Sequence, residues 1–192
     1  HTAYRRQRQM CIRDSAGTWT GSSTLSGGTA DLMFTDPAGI WNLTGNSELS
    51  SLTQDAGTVN FPKPASASAF TGTTLTIDGD YSSDGGTVNM NTVLDGDNSA
   101  HDLLLVKGSA TGTATLIFNK VSGSGAQTVT GIKVVEVDGE SDAVFTKRIR
   151  IGSPPALIST RLRKSGATGT SQANGTRTLR IQSYRIRRIP PI

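Results

Sequence analysis

The sequence predicts an all-β chain wound as a right-handed parallel β-helix (solenoid) with a C-terminal cap. Three observations predict it. Residues 19–146 carry no helical periodicity; their apolar residues come in short runs or alternate with a period of two. Apolar residues make up 34% of the chain and aromatics 5%, against 22 glycines, so the core must be thin and built from small or β-branched side chains. A weak repeat near twenty residues runs through the first half. Trp19 and Trp41 open similar segments, and Gly45-Asn46-Ser47-Glu48-Leu49, Leu52-Thr53 and Gly57-Thr58-Val59-Asn60-Phe61 return loosely as Gly72-Thr73-Thr74-Leu75-Thr76-Ile77.

The short apolar runs place strands at residues 30–34, 40–43, 48–53, 58–61, 74–78, 87–94, 102–107, 113–120, 131–138 and 143–146. Between them stand turn clusters: Ser26-Gly27-Gly28, Asp36-Pro37, Asp84-Gly85-Gly86, Asp95-Gly96-Asp97-Asn98, Gly123-Ser124-Gly125 and Asp138-Gly139. Gly, Asn and Asp belong there because tight turns need positive φ or local side-chain hydrogen bonds. Strands this short would also suit a sandwich or a barrel. The repeat selects the solenoid, in which one coil of about twenty residues rises one strand spacing, giving about six turns. Inward side chains would stack on their counterparts a coil away, and the open end of such a stack must be capped.

Charge divides the chain into three unlike pieces, so the net +4 describes none of them. Residues 1–15 carry +3 and residues 147–192 carry +11 with no acid. Residues 16–146 set fourteen acids against Lys63, Lys107, Lys120 and Lys133, a balance of −10, and contain no arginine. Nucleic acid is thereby excluded as the partner of the middle, because phosphate neutralisation needs Lys/Arg clusters. The single cysteine, Cys11, lies in the N-terminal flank, and a cysteine-free middle fits passage through an oxidising compartment. No apolar run reaches the ~18 residues that span a bilayer, and no signal-peptide stretch stands at the start. An export signal and a membrane anchor are expected outside this fragment, which itself does not insert into membrane.

No candidate for chemistry survives inspection, so catalytic, cofactor-binding and metal residues are each expected to be none, and no cofactor is expected. Ser99, His101 and Asp102 hold the residue types of a hydrolase triad, but neighbours in a strand alternate faces and no Gly-x-Ser-x-Gly elbow accompanies them. Asp95-Gly96-Asp97-Asn98-Ser99 starts like a calcium loop, yet Ala100 and Val106 occupy the positions of its Gly and Glu, which leaves a solvated turn. Gly123-Ser124-Gly125 starts like a dinucleotide fingerprint, with Thr128 at the third Gly position, and reads as a turn. Asn42-Leu43-Thr44 and Asn174-Gly175-Thr176 match glycosylation sequons by pattern alone. Trp19 and Trp41 could bind sugar; their one-coil spacing favours packing partners.

Residues 75–146 resemble the C-terminal, autochaperone portion of a pertactin-like autotransporter passenger (type V secretion). The matching residues are Leu75-Thr76-Ile77-Asp78-Gly79-Asp80-Tyr81, Gly85-Gly86-Thr87-Val88, and Asn91-Thr92-Val93-Leu94-Asp95-Gly96-Asp97-Asn98-Ser99. Asp102, Leu104, Val106, Gly108, Gly112-Thr113, Gly123-Ser124-Gly125-Ala126-Gln127-Thr128, Gly131-Ile132, Val135 and Val137 follow in order. Asp80 stands where the family usually has Asn, and Leu103 where it often has Arg or Lys. The resemblance implies a passenger that crosses the outer membrane through its own C-terminal β-barrel and resides on the bacterial surface or is secreted. It implies a non-enzymatic, monomeric stalk serving adhesion or display, with host or neighbouring-cell surface ligands. Residues 87–137 would be the nucleating cap, with Val88, Met90, Leu104, Val106, Leu116, Phe118, Val135 and Val137 as its core. Two alternatives stand beside it: a passenger with an enzyme such as a protease upstream, and a polysaccharide-binding β-helix, which the arginine-free middle disfavours.

The domain organisation follows. Residues 1–15 resemble a translated sequencing adapter or form a disordered basic arm; residues 16–74 are β-helix coils of the passenger; residues 75–146 are the autochaperone-like cap. Residues 147–192 are read as a frameshifted or a disordered basic tail. Their Ile/Arg alternation suits an edge strand or a basic arm, but residues 155–158 and 167–171, shifted together by one frame, can be read as the Gly-Ala-Tyr and Trp-Tyr-Leu strands that the family carries next.

Overall fold

The computed structural model describes residues 9–14, 17–126, 129–150 and 177–181, and side chains within 17–124 and 129–148. All regular structure among these residues is β. The strands are β1 (Gln9–Asp14), β2 (Thr18–Thr20), β3 (Thr29–Phe34), β4 (Ile40–Asn42), β5 (Ser47–Leu49), β6 (Ser51–Asp55), β7 (Thr58–Asn60), β8 (Thr74–Ile77), β9 (Tyr81–Asp95), β10 (Leu103–Val106), β11 (Ala110–Ala126), β12 (Ile132–Val137), β13 (Val144–Arg150) and β14 (Arg177–Ile181).

Every pairing from β1 to β13 is parallel and joins one coil to the next, as a solenoid requires. Three faces result. The first stacks β1, β3, β6 and the start of β9; the second stacks β2, β4, β7 and the continuation of β9. From β9 onward the two faces are one bent strand per coil, β11 pairing along β9 and β13 along β11. The third face stacks β5, β8, β10 and β12, and β14 closes it antiparallel to β12.

Two expected turns are bends within strands. Asp84-Gly85-Gly86 lies inside β9 and Gly123-Ser124-Gly125 inside β11, each where the ladder shifts register. Positive φ at Gly85 (81°) and Gly123 (100°) lets the strand bulge round a corner without leaving its neighbour. The expected strand 48–53 is instead divided at Ser50, the corner between the third and first faces. Coil length also departs from twenty residues. Asp31 and Ser51 are one coil and 20 residues apart, whereas Asn60 and Asn89 are one coil and 29 apart. In that coil the extra residues lie at 62–73, which form no strand, and the coils after it are as long, Leu75 and Leu104 being 29 apart, so the chain makes fewer turns than six. The strand expected to end at Thr146 runs on to Arg150.

Inward positions align into columns. Leu49, Ile77, Val106 and Val137 form one, Ser47, Leu75, Leu104 and Val135 a second, Trp41, Val59, Val88 and Leu116 a third. The eight core residues expected of the cap are each no more than 2% exposed. Burying an aliphatic side chain of this size contributes ~1.5 to 3 kcal/mol, so these columns supply most of the cohesion between coils. Trp19 stacks on Trp41 at 4.6 Å with 8° between the rings, which makes the pair packing partners one coil apart. Tyr81 and Phe145, two coils apart, stack with ring centroids 6.1 Å apart, and the residues opposite them in the coil between, Ala110 and Ala114, are both alanines.

Candidate functional site

A column of aliphatic side chains holds coils together but sets no register by itself; polar groups at the seams do. Gln54 is wholly buried in the first face and serves four neighbours. Its Nε2 donates to the carbonyls of Gly57 (3.2 Å) and Thr87 (2.9 Å), its Oε1 accepts from Tyr81 Oη (3.0 Å), and Ser83 Oγ donates to its backbone carbonyl (3.0 Å). Burial pushes the Tyr81 phenol up to about 12, so it stays a donor at any physiological pH. Because an unmade bond in such a place costs ~1 to 3 kcal/mol, the next coil fits only in this register.

Carboxylates and amides fasten the corners. Asp80 Oδ1 accepts from the Ser109 amide at 2.8 Å, and Asn46 Oδ1 from the Thr74 amide at 2.9 Å, each one coil later. Asp97 accepts from three successive amides of the following coil, Val129 (3.0 Å), Thr130 (3.0 Å) and Gly131 (2.7 Å). Asp102 is fully buried and reaches both ways: Oδ1 accepts from the Thr73 amide of the coil before (2.8 Å), and Oδ2 from the amide and side-chain Nδ2 of Asn91 (2.7 and 2.8 Å). Asn91 Nδ2 also donates to Pro62 O at 3.0 Å, so one cluster pins both ends of the 62–73 loop. Burial raises the Asp102 carboxyl above its ordinary value, and the Asn91 and Thr73 donors oppose that rise.

Two further seams are regular. Gly79, Gly108 and Gly139 stand one above another at the corner after the third face, each amide donating to the carbonyl of the residue beneath: Ser50, Gly79 and Gly108 at 2.8, 3.0 and 3.1 Å. On the outside of the second face an asparagine row runs head to tail. Asn42 Nδ2 donates to Thr20 Oγ1 (3.4 Å), Asn60 Nδ2 to Asn42 Oδ1 (2.8 Å) and Asn89 Nδ2 to Asn60 Oδ1 (2.6 Å).

The residues with the makings of chemistry are all engaged otherwise. Ser99 Oγ donates to Gly96 O and accepts from the Asp95 amide, both at 2.8 Å, while His101 Nδ1 donates to the Ser99 carbonyl at 2.7 Å and Asp102 turns to Asn91. They form no relay. The cluster 95–99 forms the expected turn, with Asp95 and Asn98 exposed, and Asp97 within it also clamps three amides of the next coil. Asn42, the first sequon residue, spends its amide on the asparagine row; Asn174 lies outside the described residues. Among the described residues no group of three or more His, Cys, Asp or Glu could hold a metal.

The family model described as Autochaperone Domain Type 1 matches residues 47–155 of this chain. "Uncharacterized protein YuaQ" of Escherichia coli (strain K12) is 34% identical over 151 residues, which is 75% of this chain and 11% of that protein. "Autotransporter adhesin AIDA-I" of Escherichia coli is 39% identical over 80 residues, 42% of this chain and 6% of its own length. "Adhesin BmaC autotransporter" of Brucella suis biovar 1 (strain 1330) is 38% identical over 71 residues, 37% of this chain and 2% of its own length. The chain therefore spans between 2% and 11% of the length of these three relatives.

Proposed function

Because the chain belongs to the type 1 autochaperone domain family, we propose that it is a non-catalytic piece of an autotransporter passenger in which residues 75–146 nucleate folding during export. Residues 16–74 would be coils of the stalk that the cap templates. In this role the protein is exported through periplasm and outer membrane by a C-terminal β-barrel of the same polypeptide, and works at the bacterial surface or after release. Adhesion to host or neighbouring cells, or display of a segment further N-terminal, is the task of the finished stalk, in keeping with two relatives that carry the name adhesin.

The observation that carries this reading is the β9–β11 ladder. Ala110 to Lys120 pair along Tyr81 to Thr92 with a single bulge, across two faces at once, and the same coils hold the Asp97 and Asp102 clamps. Such a segment can hold its shape with few coils beneath it and offers the next coil an edge of free backbone groups. The longer coils do not hinder growth, since doubling a loop raises its closure cost by only about 0.6 kcal/mol.

Refolding kinetics of the full chain test the order of events. Leu104→Ala, Leu116→Ala and Leu52→Ala each remove a buried side chain and should cost ~2 to 5 kcal/mol. If the cap is the nucleus, the first two slow refolding from urea, while Leu52→Ala mainly speeds unfolding. A Leu52→Ala variant that refolds slowly beside a Leu116→Ala variant that refolds at the parent rate would put the nucleus elsewhere.

A further inference from the structure

Residues 62–73 form one wall of a cleft of about 550 Å³ whose other wall is the outer surface of the second face. Asn60, Asn89, Asn119, Lys63, Lys120 and Pro64 are among its lining, and the volume lies in the range of small-molecule sites, roughly 300 to 1,000 Å³. Its charge is the reverse of its surroundings. Residues 16–146 balance to −10 with four lysines in all. Lys107 pairs with Asp78 at 2.7 Å and Lys133 with Glu136 at 2.6 Å. The two lysines in neither pair, Lys63 and Lys120, both line this cleft and are exposed, and no acid lines it.

Three side-chain amides share the lining with the two lysines. Asn60 and Asn89 face out from adjacent coils, about 4.8 Å apart, and Asn119 stands one coil beyond Asn91. Each Nδ2 keeps a second N–H beyond the bond it makes to Asn42, Asn60 or Met90, and the amide oxygens of Asn60 and Asn119 have a lone pair to spare, while Asn89 Oδ1 is buried. Groups that both donate and accept are matched by hydroxyls, and the lysines by a carboxylate; Pro64 and Ala67 supply apolar surface.

The geometry points to a binding site for an acidic saccharide, its carboxylate between Lys63 and Lys120 and its hydroxyls along the Asn60, Asn89 and Asn119 amides. The site does not depend on the cap's role in folding. It would give the stalk itself, apart from any segment it displays, a grip on a glycan.

Titration of the ¹⁵N-labelled full chain at millimolar concentration tests it, with trigalacturonate and sialyllactose as probes and cellotriose, lactose and a triglutamate peptide as controls. At least one carboxylated sugar should shift the amide signals of the asparagine row. The Lys63→Ala/Lys120→Ala double variant should bind it about tenfold or more weakly with its melting temperature unchanged, and Lys107→Ala should bind like the parent. Binding of the uronate alone points to a microbial or plant polymer, and of the sialylated sugar alone to an animal-cell glycan. The assignment is overturned if neither acidic sugar binds, if a neutral sugar or the peptide binds as tightly, or if the double variant keeps full affinity.

Discussion

Asn89 lies in register with Ile117 one coil later, and its Oδ1 is buried without a hydrogen-bond partner. The asparagine row, in which each Nδ2 donates to the coil before, thus stops where an aliphatic side chain takes the next place. A buried acceptor left unmet costs ~1 to 3 kcal/mol. Ile117→Asn should restore a donor at that point. The substitution also removes half-buried apolar surface, so a double-mutant cycle is the clean measurement. Ile117→Asn should be more favourable in the parent than in the Asn89→Ala background by about 0.5 to 1.5 kcal/mol, read from urea melts. Equal effects in both backgrounds would mean the new amide makes no bond to Asn89.

The glycine corner predicts a sharp contrast between two glycines. A Cβ at Gly108 would lie 2.5 Å from the carbonyl oxygen of Gly79, whereas one at Gly45 meets nothing within 4 Å. The first contact is with backbone that is itself fixed by the coil beneath, so it cannot yield cheaply. Gly108→Ala should therefore destabilise by about 1 to 3 kcal/mol, as overpacking does, while Gly45→Ala should stay within about 0.5 kcal/mol of the parent. Thermal melts of the two variants side by side check this, and similar losses in both would contradict it.

How much of this was legible beforehand depends on what kind of interaction fixed it. Strands such as 30–34, 74–78 and 102–107 follow from alternation of Leu, Ile and Val with polar residues, and alternation is local. The inward set of the cap was readable for the same reason. Asp97 and Asp102 were not, because their partners Val129 and Thr73 are 32 and 29 residues away and a carboxylate in a Gly/Asn-rich turn looks the same whether it faces water or amides. Coil length was misjudged from residue 62 onward: the first coils do repeat near twenty, and neither the loop of Pro, Ser and Ala at 62–73 nor the longer coils after it have a period to betray them. Bulged corners were read as turns, since Gly85 and Gly123 need positive φ in either case.

The Asp97 clamp predicts a pH-dependent loop. Partial desolvation pushes its carboxyl up, but the amides of Val129, Gly131 and Thr130 together pull further down, and the net value is lowered. A lowered carboxyl contributes stability that is present above its unfolded value and lost as pH falls through the folded one. Hydrogen exchange of the amides at residues 129–131, corrected for intrinsic rates, should accelerate as pH drops through that window, and in Asp97→Ala should be fast throughout. Protection in Asp97→Ala equal to the parent's would show that the clamp does not order this loop.

Lys147 occupies the place that an apolar residue holds in every earlier coil of its column. It follows Trp41, Val59, Val88 and Leu116 in register, and is 5% exposed. Desolvation lowers its pKa from the ordinary lysine value. The unfolded chain therefore binds the extra proton between the folded value and about 10.4, so this residue's penalty is complete at low pH and is relieved as pH climbs through that window. Lys147→Leu should continue the aliphatic column and raise stability at pH 7 by about 1 to 2 kcal/mol, or about 2 to 4 °C in melting temperature for each kcal/mol. The margin of the variant over the parent should narrow as pH climbs through that window, because only the parent recovers by losing a proton. Other titrating groups cancel in that difference. A margin that stays constant with pH would mean that the ammonium reaches water from this position, and a variant less stable than the parent would mean that the column already ends at Leu116.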